Sequence, residues 1–238
     1  LKHFGLIGHT LTHSFSQAYF TQKFEKEGIE ATYSNFPLAD LDELVGVLRD
    51  NNLSGFNVTI PFKEKILSKL DWISPEAKTI GAVNCVRVDK GKLYGYNTDV
   101  IGFEQSLHEF YAGHGPALVF GNGGASKAII FVLKQRGIPY QIVSRNEILD
   151  GITYADLNRE CLESHPLLIN TTPVGSYPNV EAYLPLTYKY VNSTHFAYDL
   201  VYNPPKTKFL EFCEAEGANI KNGHDMLVIQ AEESFKLW

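Results

Sequence analysis

The stretch ALVFGNGGASKAIIFVLKQR, residues 117–136, leaves the chain few choices of fold. An apolar run, Ala117 through Phe120, meets Gly121-Asn122-Gly123-Gly124, and a helical pattern then continues through Arg136 and stops at Gly137. Strand, tight turn and helix in that order form the first half of a βαβ unit. Glycines in such a turn let the backbone approach a pyrophosphate, and the helix start offers free N–H groups and the positive end of its dipole. Ser126 holds the third small position of the pattern and is compact enough for the helix to lie close on the strand. Taken alone, the motif is either a dinucleotide turn or a plain tight turn.

The remainder of the chain repeats the same alternation. Residues 4–7 read as a buried strand, Ser16 as the N-cap of a helix that ends at Gly28, and residues 31–36 as a second strand. Asp40 and Glu43 form a capping box ahead of a helix through Arg49, and residues 56–60 read as a third strand with Pro61 at the first helical position after it. Ser74-Pro75 opens a short helix, and residues 83–88 and 93–96 flank a hairpin turn at Asp89-Lys90-Gly91-Lys92. The 238 residues suffice for one large domain or two small ones. No apolar run is long enough to span a bilayer, and the N-terminus reads as a strand rather than a signal peptide. A net charge of −6 without a basic block argues against a nucleic-acid partner. Three widely spaced cysteines, Cys85, Cys161 and Cys213, suggest reduced thiols in a cytoplasmic protein, with neither a disulfide frame nor a metal site.

Three stretches carry polar residues beyond what a bland α/β frame needs. The loop 9–16 brings two hydroxyls, Ser14 and Ser16, to a helix start; they cap the helix or seat a carboxylate, and His13 reads as a satisfied loop residue. In GFNVTIPFK, Asn57 and Thr59 share a strand face, and Lys63 falls in the following turn, beside the strand's carboxyl end where α/β sites gather. Lys63 is either a solvated surface lysine or part of that site. In GYNTD, Asp99 is an N-cap or a carboxylate that orients a lysine as half of an acid/base pair.

In order and spacing, GLIGHTLTHSFS, GFNVTIPFK, GAVNC…GYNTDVIGF, GNGGASKA, YDLVYNPPKT and NGHDMLVIQA resemble the shikimate dehydrogenase family over nearly the whole chain. The resemblance implies an α/β enzyme with a substrate domain, residues 1–98 completed by 223–238, and a Rossmann domain, residues 99–222, with a cleft between them. It implies NADPH-dependent, reversible reduction of 3-dehydroshikimate to shikimate in aromatic amino-acid biosynthesis. Lys63 and Asp99 would be the catalytic pair. Ser14, Ser16 and Tyr202 would hold the substrate carboxylate, and Thr59, Asn84, Asp99 and Gln230 its ring hydroxyls. Gly121, Gly123, Gly124, Ala125, Ser144, Arg145, Thr171, Gly223 and Met226 would line the NADP site. No metal is implied, and the expected assembly is a monomer or homodimer.

The sequence departs from the family pattern at Thr10 and Gln17, where prolines are usual, at Cys85 in place of Thr, and at Ser144 and Asn146 around Arg145. The lost prolines bear on the rigidity of the carboxylate loop. After the strand 140–143 there is no acid to take a ribose 2′-hydroxyl, and Arg145 either meets a 2′-phosphate or is an exposed loop arginine. Residues 167–170 and 196–202 read as later strands, and a C-terminal helix after Gly223 carries Met226 and Gln230. A quinate/shikimate dehydrogenase using NAD is the nearest alternative. A non-catalytic NADP sensor is an alternative of another class, against which the presence of both Lys63 and Asp99 argues.

Overall fold

The computed structural model describes residues 1–11, 14–113 and 115–238, so His13 lies outside the described residues. The chain divides into two compact units, Leu1–Thr98 with Ala231–Trp238, and Asp99–Gln230.

In the first unit, β1 (Lys2–Gly8), α1 (Phe15–Glu27), β2 (Ala31–Pro37), α2 (Leu44–Asn51) and β3 (Gly55–Val58) alternate strand and helix. They are followed by α3 (Phe62–Lys65), β4 (Trp72–Ile73), α4 (Pro75–Ile80), β5 (Cys85–Asp89) and β6 (Lys92–Tyr96). The strands form one sheet in the order β2-β1-β3-β5-β6-β4. The β2, β1 and β3 strands run parallel, while β5 is antiparallel to β3 and makes the expected hairpin with β6. Period-two alternation sorts β1 between two cores. Phe4 and Leu6 join Phe20 and Phe24 of α1, and Ile7 joins Leu44, Phe56, Val58 and Phe62 on the opposite face. Trp238 closes the first core: its ring stacks on Phe4 at 4.7 Å, and its indole N–H donates to the Val86 carbonyl at 3.0 Å.

The second unit contains α5 (Asp99–Phe110), β7 (Ala117–Phe120), α6 (Gly124–Gln135), β8 (Tyr140–Ser144), β9 (Gly151–Thr153) and α7 (Arg159–Ser164). These are followed by β10 (Leu167–Asn170), β11 (Phe196–Asp199), α8 (Lys208–Ala215), β12 (Asn219–Lys221) and α9 (His224–Leu237), whose last turns belong to the first unit. Its sheet has the order β12-β11-β10-β7-β8-β9, and every pair is parallel. Numbered from β7, that is the doubly wound 3-2-1-4-5-6 order, with its switch point between β7 and β10.

Several boundaries differ from the sequence reading, each for a local reason. Ser14, not Ser16, stands at the N-cap of α1 and makes no side-chain cap bond. Pro61 stands at the cap of α3 rather than inside it, because the Thr59 carbonyl already accepts the Phe62 N–H at 2.9 Å and turns the chain there. The strand expected over 196–202 stops at Asp199, whose carboxylate takes the Val201 N–H at 2.9 Å and bends the backbone away from the ladder. Strands β4, β9 and β12 are two or three residues long, too short to show a period.

Beneath the first sheet, Asn57 is the centre of a buried polar network. It accepts from the Tyr33 hydroxyl at 3.0 Å and donates to the Asn84 carbonyl at 3.1 Å and to Ser234 Oγ at 2.9 Å. Removing one side chain therefore strands several buried groups. Asn57→Ala should destabilise the first unit by about 2–4 kcal/mol, from unsatisfied partners and a small cavity. Both tryptophans, Trp72 and Trp238, lie in that unit, so urea unfolding followed by tryptophan fluorescence reads it directly. A midpoint equal to that of the wild type would show that the network contributes nothing to stability.

Candidate active site

Of the candidate site residues singled out by sequence, Ser14, Ser16, Thr59, Lys63 and Asn84 lie in the first unit, and the others, Asp99, Tyr202 and Gln230 among them, lie in the second. In the first unit, β1 and β3 end side by side. The Thr59 N–H donates to the Ile7 carbonyl at 2.9 Å, and the His9 N–H to the Ile60 carbonyl at 3.2 Å. Ser14 is half-buried, its Oγ enclosed and without a hydrogen-bond partner among the described residues. An enclosed hydroxyl of this kind calls for a partner. Ser16 is buried in the first turn of α1 and hydrogen-bonds the Tyr33 hydroxyl. Burial pushes the Tyr33 phenol well above its ordinary range, against the smaller opposing effect of Ser16.

From Tyr33 the network runs through Asn57 to Asn84 and Ser234. The Asn84 amide donates to Thr98 Oγ1 at 3.0 Å and its carbonyl oxygen accepts the Thr98 N–H at 2.7 Å; Ser234 Oγ lies 3.0 Å from Thr98 Oγ1. Next to Asn84, the Val83 N–H donates to the Lys63 carbonyl at 2.8 Å, which fixes the backbone of α3. Two successive residues, Val83 and Asn84, thus hold both the backbone that carries Lys63 and the residue that precedes Asp99. Lys63 is half-buried, and Asp99 is buried as the first residue of α5 rather than a cap outside it. Tyr33, Thr98 and Ser234 were not singled out from sequence. For Ser234 the signal was available: it lies one turn past Gln230, with Ala231 and Leu237 at helical spacing on the same face.

In the second unit the glycine turn sits at the switch point. Gly121 has φ +110°, and a Cβ built on it would stand 2.6 Å from Thr171 Oγ1 and 2.9 Å from Thr172 Cγ2. The turn is held from both sides. Ser126 Oγ donates to the Gly121 carbonyl at 2.8 Å, and Thr171 donates to the Phe120 carbonyl through its N–H at 2.9 Å and its hydroxyl at 2.7 Å. Gly123 faces open space and caps α6, whose first turn includes Gly124 and Ala125. A twelve-residue helix opening on a glycine bend, with space at Gly123, fits the pyrophosphate of a dinucleotide.

At the end of β8, Ser144 is buried and its hydroxyl is bonded to the Asn146 carbonyl, while Arg145 and Asn146 are both exposed. The Arg145 charge opposes the rise of the Tyr154 phenol, which burial pushes up to about 12. Tyr202 is half-buried in the segment after β11. Gly223 presses against that segment: its N–H donates to the Val201 carbonyl at 3.2 Å, and a Cβ there would meet the Leu200 carbonyl oxygen at 2.1 Å. Met226 and Gln230 are both buried in the first turns of α9, where Gly102 of α5 allows a close approach, and the Gln230 amide donates to the Leu227 carbonyl at 2.9 Å. Among the described residues no three His, Cys, Asp or Glu side chains group to hold a metal ion, and no described helix is long and apolar enough to cross a membrane.

The chain is similar to several known proteins. Residues 6–86 match the family model described as the shikimate dehydrogenase substrate binding domain. The chain is 38% identical to the NADP(+) shikimate dehydrogenase of Caldanaerobacter subterraneus subsp. tengcongensis, over 100% of this chain and 91% of the relative. It is similar to the crystal structure of shikimate 5-dehydrogenase from Thermus thermophilus in complex with NADP(H) and shikimate, with a TM-score of 0.88, 34% identity and coverage of 100% and 93%. It is also similar to quinate dehydrogenase from Corynebacterium glutamicum in complex with NAD, with a TM-score of 0.87, 25% identity and coverage of 99% and 93%.

The close approach at the switch point makes the two turn glycines unequal. Gly121→Ala adds a methyl group against Thr171 at a left-handed φ and should cost about 1–3 kcal/mol. Gly123→Ala meets no atom within 4 Å and should cost about 1 kcal/mol at most, the effect of an altered cap. Thermal melts of the two variants test this ranking, and an equal or inverted loss would contradict it.

Proposed function

This chain belongs to the shikimate dehydrogenase family, and on that premise we propose that it catalyses the NADP-dependent, reversible interconversion of 3-dehydroshikimate and shikimate. The observation that carries the reading is full-length likeness to enzymes named for this activity, including one solved with NADP(H) and shikimate bound. The chain's own features support it. The glycine bend at Gly121–Gly124 would take the pyrophosphate, and exposed Arg145, in a loop with no acid at the ribose position, would pair with a 2′-phosphate. None of Cys85, Cys161 and Cys213 is in a disulfide, which suits a reducing compartment such as the cytoplasm.

When bound, NADPH supplies the hydride that the carbonyl carbon of 3-dehydroshikimate accepts. The protein's part is to hold the substrate, manage one proton and exclude alternatives. Ser14, whose Oγ has no partner among the described residues, would donate to the substrate carboxylate, with Ser16 and Tyr202 completing that seat. Thr59, Asn84 and Gln230 would hold ring hydroxyls. Lys63 would give its proton to the carbonyl oxygen as negative charge grows there, and Asp99 would orient the ammonium group. In the reverse direction Lys63 takes the proton from the shikimate hydroxyl.

A second reading, an enzyme that takes quinate with NAD, draws on the likeness to the Corynebacterium quinate dehydrogenase and on the absence of a second basic residue beside Arg145 in the trio. Following NADPH or NADH absorbance with shikimate or quinate, each with NADP or NAD, separates the two. The highest kcat/KM should come from shikimate with NADP; turnover confined to quinate and NAD would overturn the proposal. In the same assay Lys63→Ala should lower kcat by ~10²–10⁴-fold, the range for a positioned acid/base, with a smaller change in KM, because its interaction strengthens in the transition state. A folded Lys63→Ala enzyme with kcat within about threefold of wild type would remove Lys63 from the chemistry.

A further inference from the structure

Asp199, the last residue of β11, is fully buried, and its carboxylate is surrounded by donors from three segments. Asn170 Nδ2, at the end of β10, donates to Oδ1 at 2.9 Å, and so does the Val201 N–H at 2.9 Å. The Thr207 hydroxyl, at the cap of α8, donates to Oδ2 at 2.6 Å. Each donor is a branch point. The Asn170 carbonyl oxygen accepts from the Thr172 N–H at 2.9 Å and the Thr172 hydroxyl at 2.6 Å, and the Asn170 amide also reaches the Val174 carbonyl at 3.4 Å. Val201 precedes Tyr202 and accepts the Gly223 N–H. Thr207 stands so close to the far end of the 171–175 loop that a Cβ on Gly175 would lie 3.2 Å from the Thr207 Cβ.

A carboxylate without water is costly to bury, and burial pushes Asp199 up to about 7 despite the opposing bonds from Thr207, Val201 and Asn170. The core has no need of a charge at this position. What the position does need is two acceptor atoms serving three donors, and among side chains of this length only a carboxylate offers them.

From this geometry we infer that Asp199 is a positioning residue that sets the loops 171–175 and 200–207 in one register, so that Thr171 and Tyr202 take their places together. The inference rests on the reading of Thr171 as a cofactor-side residue and Tyr202 as a substrate-side residue. Asp199 touches neither ligand; it couples the loops that do. Asn in its place keeps one acceptor for Asn170 and Val201, and its amide can donate to a Thr207 hydroxyl that rotates to accept. Ala keeps none of the three bonds.

The test compares Asp199→Ala with Asp199→Asn in the full chain. Wild-type turnover of shikimate with NADP is measured first, and its absence would refute the functional reading alone. For Asp199→Ala, KM should rise for both shikimate and NADP by about tenfold or more, the loss expected for a hydrogen bond to a charged group, while kcat falls less. Backbone amides in 171–175 and 200–203 should exchange faster with solvent together, a readout that needs no turnover. Asp199→Asn should restore both KM values to within about threefold of wild type and return slow exchange to both loops. If Asp199→Ala fails to fold, Thr207→Val, which removes only the Oδ2 bond, is measured by the same criteria. Folded variants with both KM values unchanged, a rise in one KM without the other, or loosening of one loop alone would overturn the inference.

Discussion

The arrangement of the second unit depends on one close approach, the passage of the Gly121 backbone beside Thr171 at the switch point of a parallel sheet. Parallel strands send all their exits to one end, and at the switch point neighbouring exits diverge and leave a crevice. There is no room for a Cβ at Gly121, because Thr171 Oγ1 already stands 2.6 Å from where it would be. That contact fixes where β7 stops and where α6 begins. It also places the free N–H groups of the helix start at the mouth of the crevice. Ser126 and Thr171 then tie down the carbonyls on either side, so a bend that would otherwise be strained is held by three hydrogen bonds.

The first unit uses a different device. Its sheet is mixed, and its strand ends are organised by a buried chain of polar side chains, Ser16, Tyr33, Asn57, Asn84, Thr98 and Ser234. Such a network is worth little if one member is missing and a good deal when all are satisfied, because buried donors and acceptors cannot turn to water. It joins the helix that carries Ser14 and the backbone that carries Asp99. The C-terminal helix enters it through Ser234. Polar groups that a simple core would exclude are thus kept beside residues proposed to carry the chemistry. Asp199 in the second unit follows the same logic with a single carboxylate.

Much of this was legible in the sequence, for reasons that can be named. The glycine turn and the apolar run before it, read together with the strand–helix alternation along the chain, point to a parallel sheet. The capping box at Asp40 and Glu43 forms as read, since both halves of it are local. Less legible were features set by tertiary contact. Ser16 looked like a cap, but the cap position fell to Ser14 and Ser16 was drawn inward to Tyr33. The strand through Tyr202 was cut short by Asp199, an effect of a side chain on its own backbone that period counting does not detect. Tyr33 and Thr98 gave no signal, because a buried tyrosine and a threonine before a helix are ordinary until their partners are known. The roles proposed for Lys63 and Asp99 come from family resemblance, and that of Arg145 from the lack of an acid after the strand 140–143. Their residue types and positions alone left a surface lysine, a cap and a loop arginine open.

The central claim, hydride transfer between shikimate and NADP on this chain, is tested most directly by isotope. Shikimate carrying deuterium at the carbon that bears the oxidised hydroxyl is incubated with the protein and NADP, and the reduced cofactor is isolated. The account predicts that the deuterium is found on the nicotinamide ring of the NADPH, with none released to water. Reduced cofactor without the label, or deuterium recovered in the solvent, would contradict it.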